Sequence, residues 1–365
     1  MCGKALRKIM AYRLKMIENA IGMCTMCLSL LYFILSCDNL PDEAIVNELP
    51  VYYTESGYLD GRVKEIVSAM EQMEACEAFF WVTDIHWEPD LNARRSPAMI
   101  RYLASRTCID KILNGGDTGN SSVICTNAIN RLRDAIGSDK VYSVNGNHET
   151  NDASRYEKPF ERVHKALRGH CRDIVYGDKN KSYYYFDRTG SKVRYIGLST
   201  FGLFINNEYE TAYTEEQLNW FKEEALDVEE GWTIVIFTHS LYHVSLPSNE
   251  LTVISQAFVD AIDNYQGKGK IAGVLMGHSH VDRMHVGETG VPYIISQCDR
   301  TKPYRNDINV DRIPGTVSEQ HFEVVLMDLK KQEIRLYAIG SDARDGVDNE
   351  VGKTVDVRIL KYGRQ

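Results

Sequence analysis

The sequence has no excess of positive charge. Lys and Arg number 42 against 51 Asp and Glu, a formal net charge of −9. That balance lacks the electrostatic footprint of nucleic-acid binding, so no nucleic-acid partner is expected. Paired cysteine spacing is also missing. Cys2, Cys24, Cys27 and Cys37 lie in or near an apolar N-terminal stretch, while Cys76, Cys108, Cys125, Cys171 and Cys298 are scattered. Cys24-x-x-Cys27 has the spacing of half a zinc or redox site, but no second pair accompanies it. There is no internal repeat, no low-complexity tract and no strong linker after residue 76. What remains is a chain of 365 residues with ordinary apolar and charged fractions, long enough to bury the core of one large domain or two.

The N-terminus departs from that average. A basic segment with Lys4, Arg7, Lys8, Arg13 and Lys15 precedes an apolar run from Ile21 to Ser36. A basic region, an apolar region and a small residue at the cleavage point make a secretory signal, with translation starting at Met1, Met10 or Met16. Ile34-Leu35-Ser36-Cys37 is also similar to a bacterial lipoprotein box, which implies membrane attachment through a lipidated Cys37. A retained anchor and an apolar helix of a cytosolic protein are the alternatives; the expectation is an exported protein. The chain then divides into a signal or anchor over 1–37, a linker and leading helix over 38–75, a main domain over 76–345 and a C-terminal tail over 346–365.

The main domain opens on a buried-strand pattern, Phe79-Phe80-Trp81-Val82-Thr83, which ends in Asp84-Ile85-His86. Side chains at i and i+2 of an extended backbone point the same way, so a carboxylate and an imidazole leave the strand together. Four more apolar runs end alike: before Gly116-Asp117-Thr118-Gly119-Asn120, Gly146-Asn147-His148-Glu149, Thr238-His239-Ser240 and Gly277-His278-Ser279-His280. Strands are expected at 78–83, 111–114, 141–145, 182–186, 193–198, 233–238 and 271–276. Helical patterns fall at 63–75, 96–106, 124–136, 214–226 and 251–265, and Thr214-x-x-Gln217 reads as a capping box. Alternation of the two predicts a mostly parallel α/β sheet, whose ligands bind at the carboxyl ends of the strands. Hairpin patterns at 183–198 and 322–338 add antiparallel strands to the second half.

Asp84, His86, Asp117, Asn147, His239, His278 and His280 supply carboxylate, amide and imidazole donors, a set suited to Mn, Fe or Zn. Seven donors exceed one tetrahedral site and suit two divalent ions with a bridging carboxylate, about 4 Å apart, a pair that clamps phosphoryl groups and acidifies water. Gly115, Gly116, Gly146 and Gly277 would let the backbone turn sharply at the strand ends.

The ordered blocks Asp-x-His, Gly-Asp-x-x-Asn, Gly-Asn-His-Glu, His and Gly-His-x-His resemble those of the calcineurin-like metallophosphoesterases, over roughly residues 76–340. The resemblance implies a four-layer α-β-β-α sandwich of two mixed β-sheets flanked by helices. It implies hydrolysis of a phosphate mono- or diester of a small substrate, with metal-bound hydroxide as nucleophile. Asp84, His86 and His280 would hold the first metal and Asn147, His239 and His278 the second, with Asp117 between them. His148 would be the general acid and Glu149 its orienting carboxylate; Asn120 would lie near the site. Asn120 stands where purple acid phosphatases carry Tyr, and Thr118-Gly119-Asn120-Ser121 differs from the Asp-Arg-Gly continuation of protein Ser/Thr phosphatases. Both subclasses are therefore disfavoured. The rivals are a nuclease of the same chemistry and a catalytically inactive surface lipoprotein with this fold, acting as a binding or structural component.

Outside the motifs, His243 and Arg300 are candidate substrate contacts. Arg94, Arg95, Asp299, Lys302, Tyr304 and Arg305 read mainly as solvated loop. His164, His170, His285 and His321 sit in no motif and read as structural.

Overall fold

The computed structural model describes residues 49–87, 95–119, 121–149, 171–178, 183–205, 208–241, 253–280, 282–299, 313–341 and 357–363. The N-terminal segment, with Cys37, lies outside them. None of the described helices is long and apolar enough to cross a membrane.

Two short helices lead in, α1 (Val51–Thr54) and α2 (Tyr58–Glu71). A six-stranded sheet then forms around β1 (Cys76–Val82), whose residues alternate between two apolar environments. Phe80 and Val82 pack under α3 (Arg95–Thr107) and α4 (Ser122–Ile136), with Met99, Ile100, Leu103, Ile129 and Leu132. Phe79 and Trp81 turn to the other face and meet a second sheet. β1 runs parallel to β2 (Ile112–Asn114), and β2 parallel to β3 (Val141–Ser143). On its other side β1 pairs antiparallel with β13 (His321–Asp328), followed by β14 (Glu333–Gly340) and β15 (Val357–Lys361).

The second sheet has seven strands in the order β11-β12-β10-β9-β6-β5-β4. Its parallel centre is β6 (Val193–Leu198), β9 (Thr233–Thr238), β10 (Lys270–Met276) and β12 (Pro292–Ile295). β4 (Ile174–Tyr176), β5 (Tyr184–Arg188) and β11 (Arg283–Val286) flank it antiparallel. α5 (Glu215–Trp220), continued by a π-turn at Phe221–Ala225, and α6 (Val253–Asp263) cover its outer face. Three apolar layers thus hold four layers of backbone together: helices on the first sheet, sheet on sheet, and helices on the second sheet. Each large side chain fully buried in these layers, Trp81 or Phe237 for example, contributes about 1.5–3 kcal/mol.

The expected strands and helices are present within a few residues. The aromatic run Tyr183–Phe186 packs into the sheet cores, Phe186 stacking on Tyr142 and Tyr195. Several elements were not expected. Residues 201–212 form a hairpin of β7 (Phe201–Ile205) and β8 (Glu208–Ala212). Residues 357–361, read as part of a tail, close the first sheet as β15, with Arg358 and Leu360 buried. The capping box is only half made. Thr214 Oγ1 accepts the Gln217 N–H at 3.2 Å, but the Gln217 amide bonds the backbone N and O of Ser199 at 2.8 and 2.9 Å, pinning the end of β6.

Candidate metal centre

All the motif residues that are described gather where β1, β2, β3, β9 and β10 end. The loops there hydrogen-bond to one another beyond the strands: Asp84 N to Gly116 O, His86 N to Asp117 O, and Gly277 N to His239 O, at 2.9–3.0 Å. The backbone is not extended, as the i, i+2 reading assumed. Asp84 (φ 52°), His86 (43°), Asp117 (49°), His278 (68°) and His280 (57°) all adopt left-handed conformations. For residues with a Cβ each such turn costs on the order of 1–3 kcal/mol, and such strain clusters at functional sites. Of Gly115, Gly116, Gly146 and Gly277, Gly116 alone takes a left-handed turn (φ 93°), and Gly146 and Gly277 answer a different need. A Cβ on Gly277 would stand 2.1 Å from Asp84 Oδ2, and one on Gly146 would stand 2.2 Å from Asp117 Oδ1. The carboxylates occupy the space a side chain would fill.

The donors form two groups that share a corner. In the first, His280 Nε2 lies 3.1 Å from Asp84 Oδ1 and 3.1 Å from His86 Nε2. In the second, His239 Nε2 lies 3.2 Å from Asp117 Oδ2, 3.1 Å from Asn147 Oδ1 and 3.2 Å from His278 Nδ1. Asp117 Oδ2 is the corner, 3.8 Å from both His86 Nε2 and His148 Nε2. Three sets of ligand atoms each converge within 4.8 Å: Asp84, His86 and His280; His86, Asp117 and His148; Asp117, His239 and His278.

The outer oxygens are already used. Asp84 Oδ2 accepts the His278 N–H at 2.9 Å and the Thr83 hydroxyl at 2.7 Å, and Asp117 Oδ1 accepts the His148 N–H at 2.8 Å. These bonds turn Asp84 Oδ1 and Asp117 Oδ2 inward. The His239 Nδ1–H donates to the Gly115 carbonyl at 3.0 Å, which aims Nε2 at the centre in the manner of metal-binding histidines.

So many inward acceptors so close need positive charge between them. Burial works against a charged His239, but the Asp117 and Asp84 carboxylates outweigh it and push the ring up to about 9. His86 goes the other way: burial dominates those same carboxylates and lowers it to about 4. Burial also works against charged Asp84 and Asp117, but the imidazoles prevail and hold both below the usual carboxylate range. Among the described residues, the ion-pair partners of Asp84 and Asp117 are all histidines. Oxygen and imidazole donors facing a common point, their carboxylates paired with no Lys or Arg among the described residues, fit divalent transition-metal ions.

Glu149 does not serve where it was expected. Its carboxylate lies under the ligand loops and accepts the backbone N–H groups of Asp117 (2.9 Å), Gly146 (2.7 Å) and Thr118. Burial, then the Asp117 charge, pushes it up to about 7. His148 stands edge-on to His86, ring centres 4.7 Å apart, with its side chain 29% exposed at the mouth of the site. Asn120, His243 and Arg300 lie outside the described residues, as do Arg94, Lys302, Tyr304, Arg305, His164 and His170. Arg95 is an anchor: it pairs with Glu319 and lies over the Tyr52 ring. Asp299 is buried and accepts the Ser96 hydroxyl at 2.5 Å. Cys298, fully buried three residues past β12, lies beside His280. Its only signal in the sequence was its place after an apolar strand.

A two-sheet α/β sandwich with this cluster at its strand ends is a scaffold suited to divalent metal ions. The family model for calcineurin-like phosphoesterases matches residues 78–282, more than half of the chain, and the chain belongs to that family. A search of curated protein sequences gives no match. Solved structures that match the chain include a dimetal phosphatase from Danio rerio, 13% identical with a TM-score of 0.49, the match covering 78% of this chain and 99% of that one. A Thermus thermophilus protein is 15% identical with a TM-score of 0.40, covering 70% and 96%. A phosphopantetheinyl hydrolase from Mycobacterium tuberculosis is 14% identical with a TM-score of 0.35, covering 63% and 94%.

Proposed function

We propose that this chain hydrolyses a phosphate mono- or diester of a small substrate, using two divalent ions chosen from Mn, Fe and Zn. The observation that carries the reading is the position of Asp117 Oδ2, which faces His86 of one donor group and His239 of the other. Asp84, His86 and His280 would hold one ion and His239, His278 and Asn147 the second, with Asp117 shared. When bound, the pair supplies positive charge to the phosphoryl oxygens and acidifies water at neutral pH.

The rest falls to the chain itself. His148 sits at the mouth, and its backbone N–H is tied to Asp117 Oδ1, so its ring is held beside the shared carboxylate. From there it delivers a proton to the leaving oxygen, a step worth about 10²–10⁴-fold. Glu149 keeps the Asp117 and Gly146 turns in register and acts only through them.

The test is turnover by metal-loaded protein on paired aryl monoester and diester substrates, repeated with a poor alkoxide leaving group. His148→Ala should keep its metals and lose most on the alkyl ester, where protonation matters most. Bound metal without turnover on any ester would favour the inactive, ligand-binding reading. Export and lipidation at Cys37 are part of the proposal and rest on the N-terminal sequence alone; loss of fatty-acid incorporation in Cys37→Ser tests them.

A further inference from the structure

We propose that Asp282, His321 and Glu323 hold a third divalent cation, of Zn or Mn type, between the two sheets. Their ligand atoms converge within 4.8 Å of one another, and the residues are 0%, 1% and 0% exposed. His321 and Glu323 are two apart on β13. Glu323 pairs with Trp81, so both residues share the face that Trp81 turns toward the second sheet. Asp282 comes from the other sheet, immediately before β11.

Each donor has an outer partner. The His321 Nδ1–H donates to the Ser341 carbonyl at 2.5 Å, the bond that sets tautomer and ring orientation in metal-binding histidines. The Ser296 hydroxyl donates to Glu323 Oε2 at 2.8 Å, and itself accepts the Trp81 indole N–H at 2.9 Å. Arg358 of β15 places Nη1 3.6 Å from Asp282 Oδ1.

The two carboxylates, the imidazole and the Arg358 guanidinium are all buried where the two sheets meet. Convergence of one nitrogen and two carboxylates on a common point, each with an outer partner, is the arrangement of a three-ligand metal site with room for water. A cation there ties β13 of one sheet to the loop entering β11 of the other. None of the three residues belongs to the strand-end cluster, so zinc at this site and turnover at the strand ends can fail independently of each other.

The test is zinc content per chain of the full-length protein, measured by plasma mass spectrometry after zinc loading and desalting. Wild type should exceed both Glu323→Gln and His321→Gln by one equivalent, with phosphatase rate per folded molecule unchanged. Equal zinc content in all three proteins overturns the proposal and leaves a protonated His321 in an ion network. If the variants do not fold, anomalous diffraction at the zinc edge on wild-type crystals decides: a peak among the three side chains supports the site, and its absence overturns it.

Discussion

The two ends of the same strands hold buried carboxylates in opposite ways. At the amino end of β1, Glu77 is closed off by cations and hydroxyls. It accepts Lys111 Nζ at 2.6 Å, Ser191 Oγ at 2.9 Å and Tyr195 OH at 3.0 Å, with Arg188 Nε at 3.9 Å. Neither Glu77 nor Lys111 has a left-handed backbone. At the carboxyl end the ion-pair partners of Asp84 and Asp117 among the described residues are all histidines, on turns that are left-handed at five of the donor residues. One end spends basic residues to neutralise its carboxylate within the fold. The other accepts backbone strain to aim its oxygens and imidazole nitrogens at a shared point, an arrangement that suits divalent cations.

Substitutions at the two ends should therefore fail differently. The largest effect is expected from Asp117→Asn, which keeps the shape and removes the shared charge. Hydrolysis should fall by about 10³-fold or more, in line with several kcal/mol of metal-dependent charge stabilisation, and metal content should drop. Circular dichroism should remain native. An active Asp117→Asn protein with its full metal complement would erase the distinction between the ends. At the other end Lys111→Met should leave the metal and kcat per folded molecule unchanged. Equilibrium unfolding in urea should show a loss of roughly 3 kcal/mol, because Glu77 then keeps only hydroxyls and a partly exposed arginine.

Much of the active end was legible in the sequence. Apolar runs that stop at Gly, Asp, Asn or His mark both the strands and the residues that leave them, and strand-end placement in an α/β sheet does the rest. The route of convergence was hidden, because Asp84 and His86 meet their neighbours through left-handed turns rather than the alternation of a strand. So was the work of Glu149, since nothing in Gly-Asn-His-Glu tells a carboxylate beside an imidazole from one under three backbone N–H groups. Pairings between distant segments were equally opaque. β15 joins its sheet across a long stretch of chain, and His321 acquires Asp282 as a neighbour only when two sheets stack.

A smaller effect is expected at Glu149, which can sharpen the comparison. Glu149→Gln replaces one acceptor oxygen with an amide N–H that opposes the backbone donors of Asp117, Gly146 or Thr118. The ligand turns should loosen, and metal affinity should weaken by roughly 10–100-fold, as it does when partners behind metal ligands are removed. Isothermal titration of chelator-stripped protein measures this. Unchanged affinity would mean that the turns hold without the carboxylate.

The smallest effect is a pH dependence, and its sign follows from His239. In metal-free protein its ring is pushed up to about 9, so the folded chain binds the proton more tightly than the unfolded chain does. That contribution is complete below the ordinary histidine value of about 6.5 and is lost as pH rises through about 9. Glu149, pushed up to about 7, acts with the same sign between about 4.5 and 7. His86, lowered to about 4, acts with the opposite sign between about 4 and 6.5 and offsets it there. Above pH 6.5 His239 acts together with His280, whose ring is also held above the ordinary histidine value despite its burial, so chelator-stripped protein should lose stability from pH 6.5 to 9. In loaded protein a cation takes the place of the proton, and the loss should be smaller. Thermal melting points across that range, with and without metal, should diverge as pH rises, whereas Lys111→Met should lower both curves equally. Parallel curves for stripped and loaded wild type would show that no proton at His239 stands in for a metal.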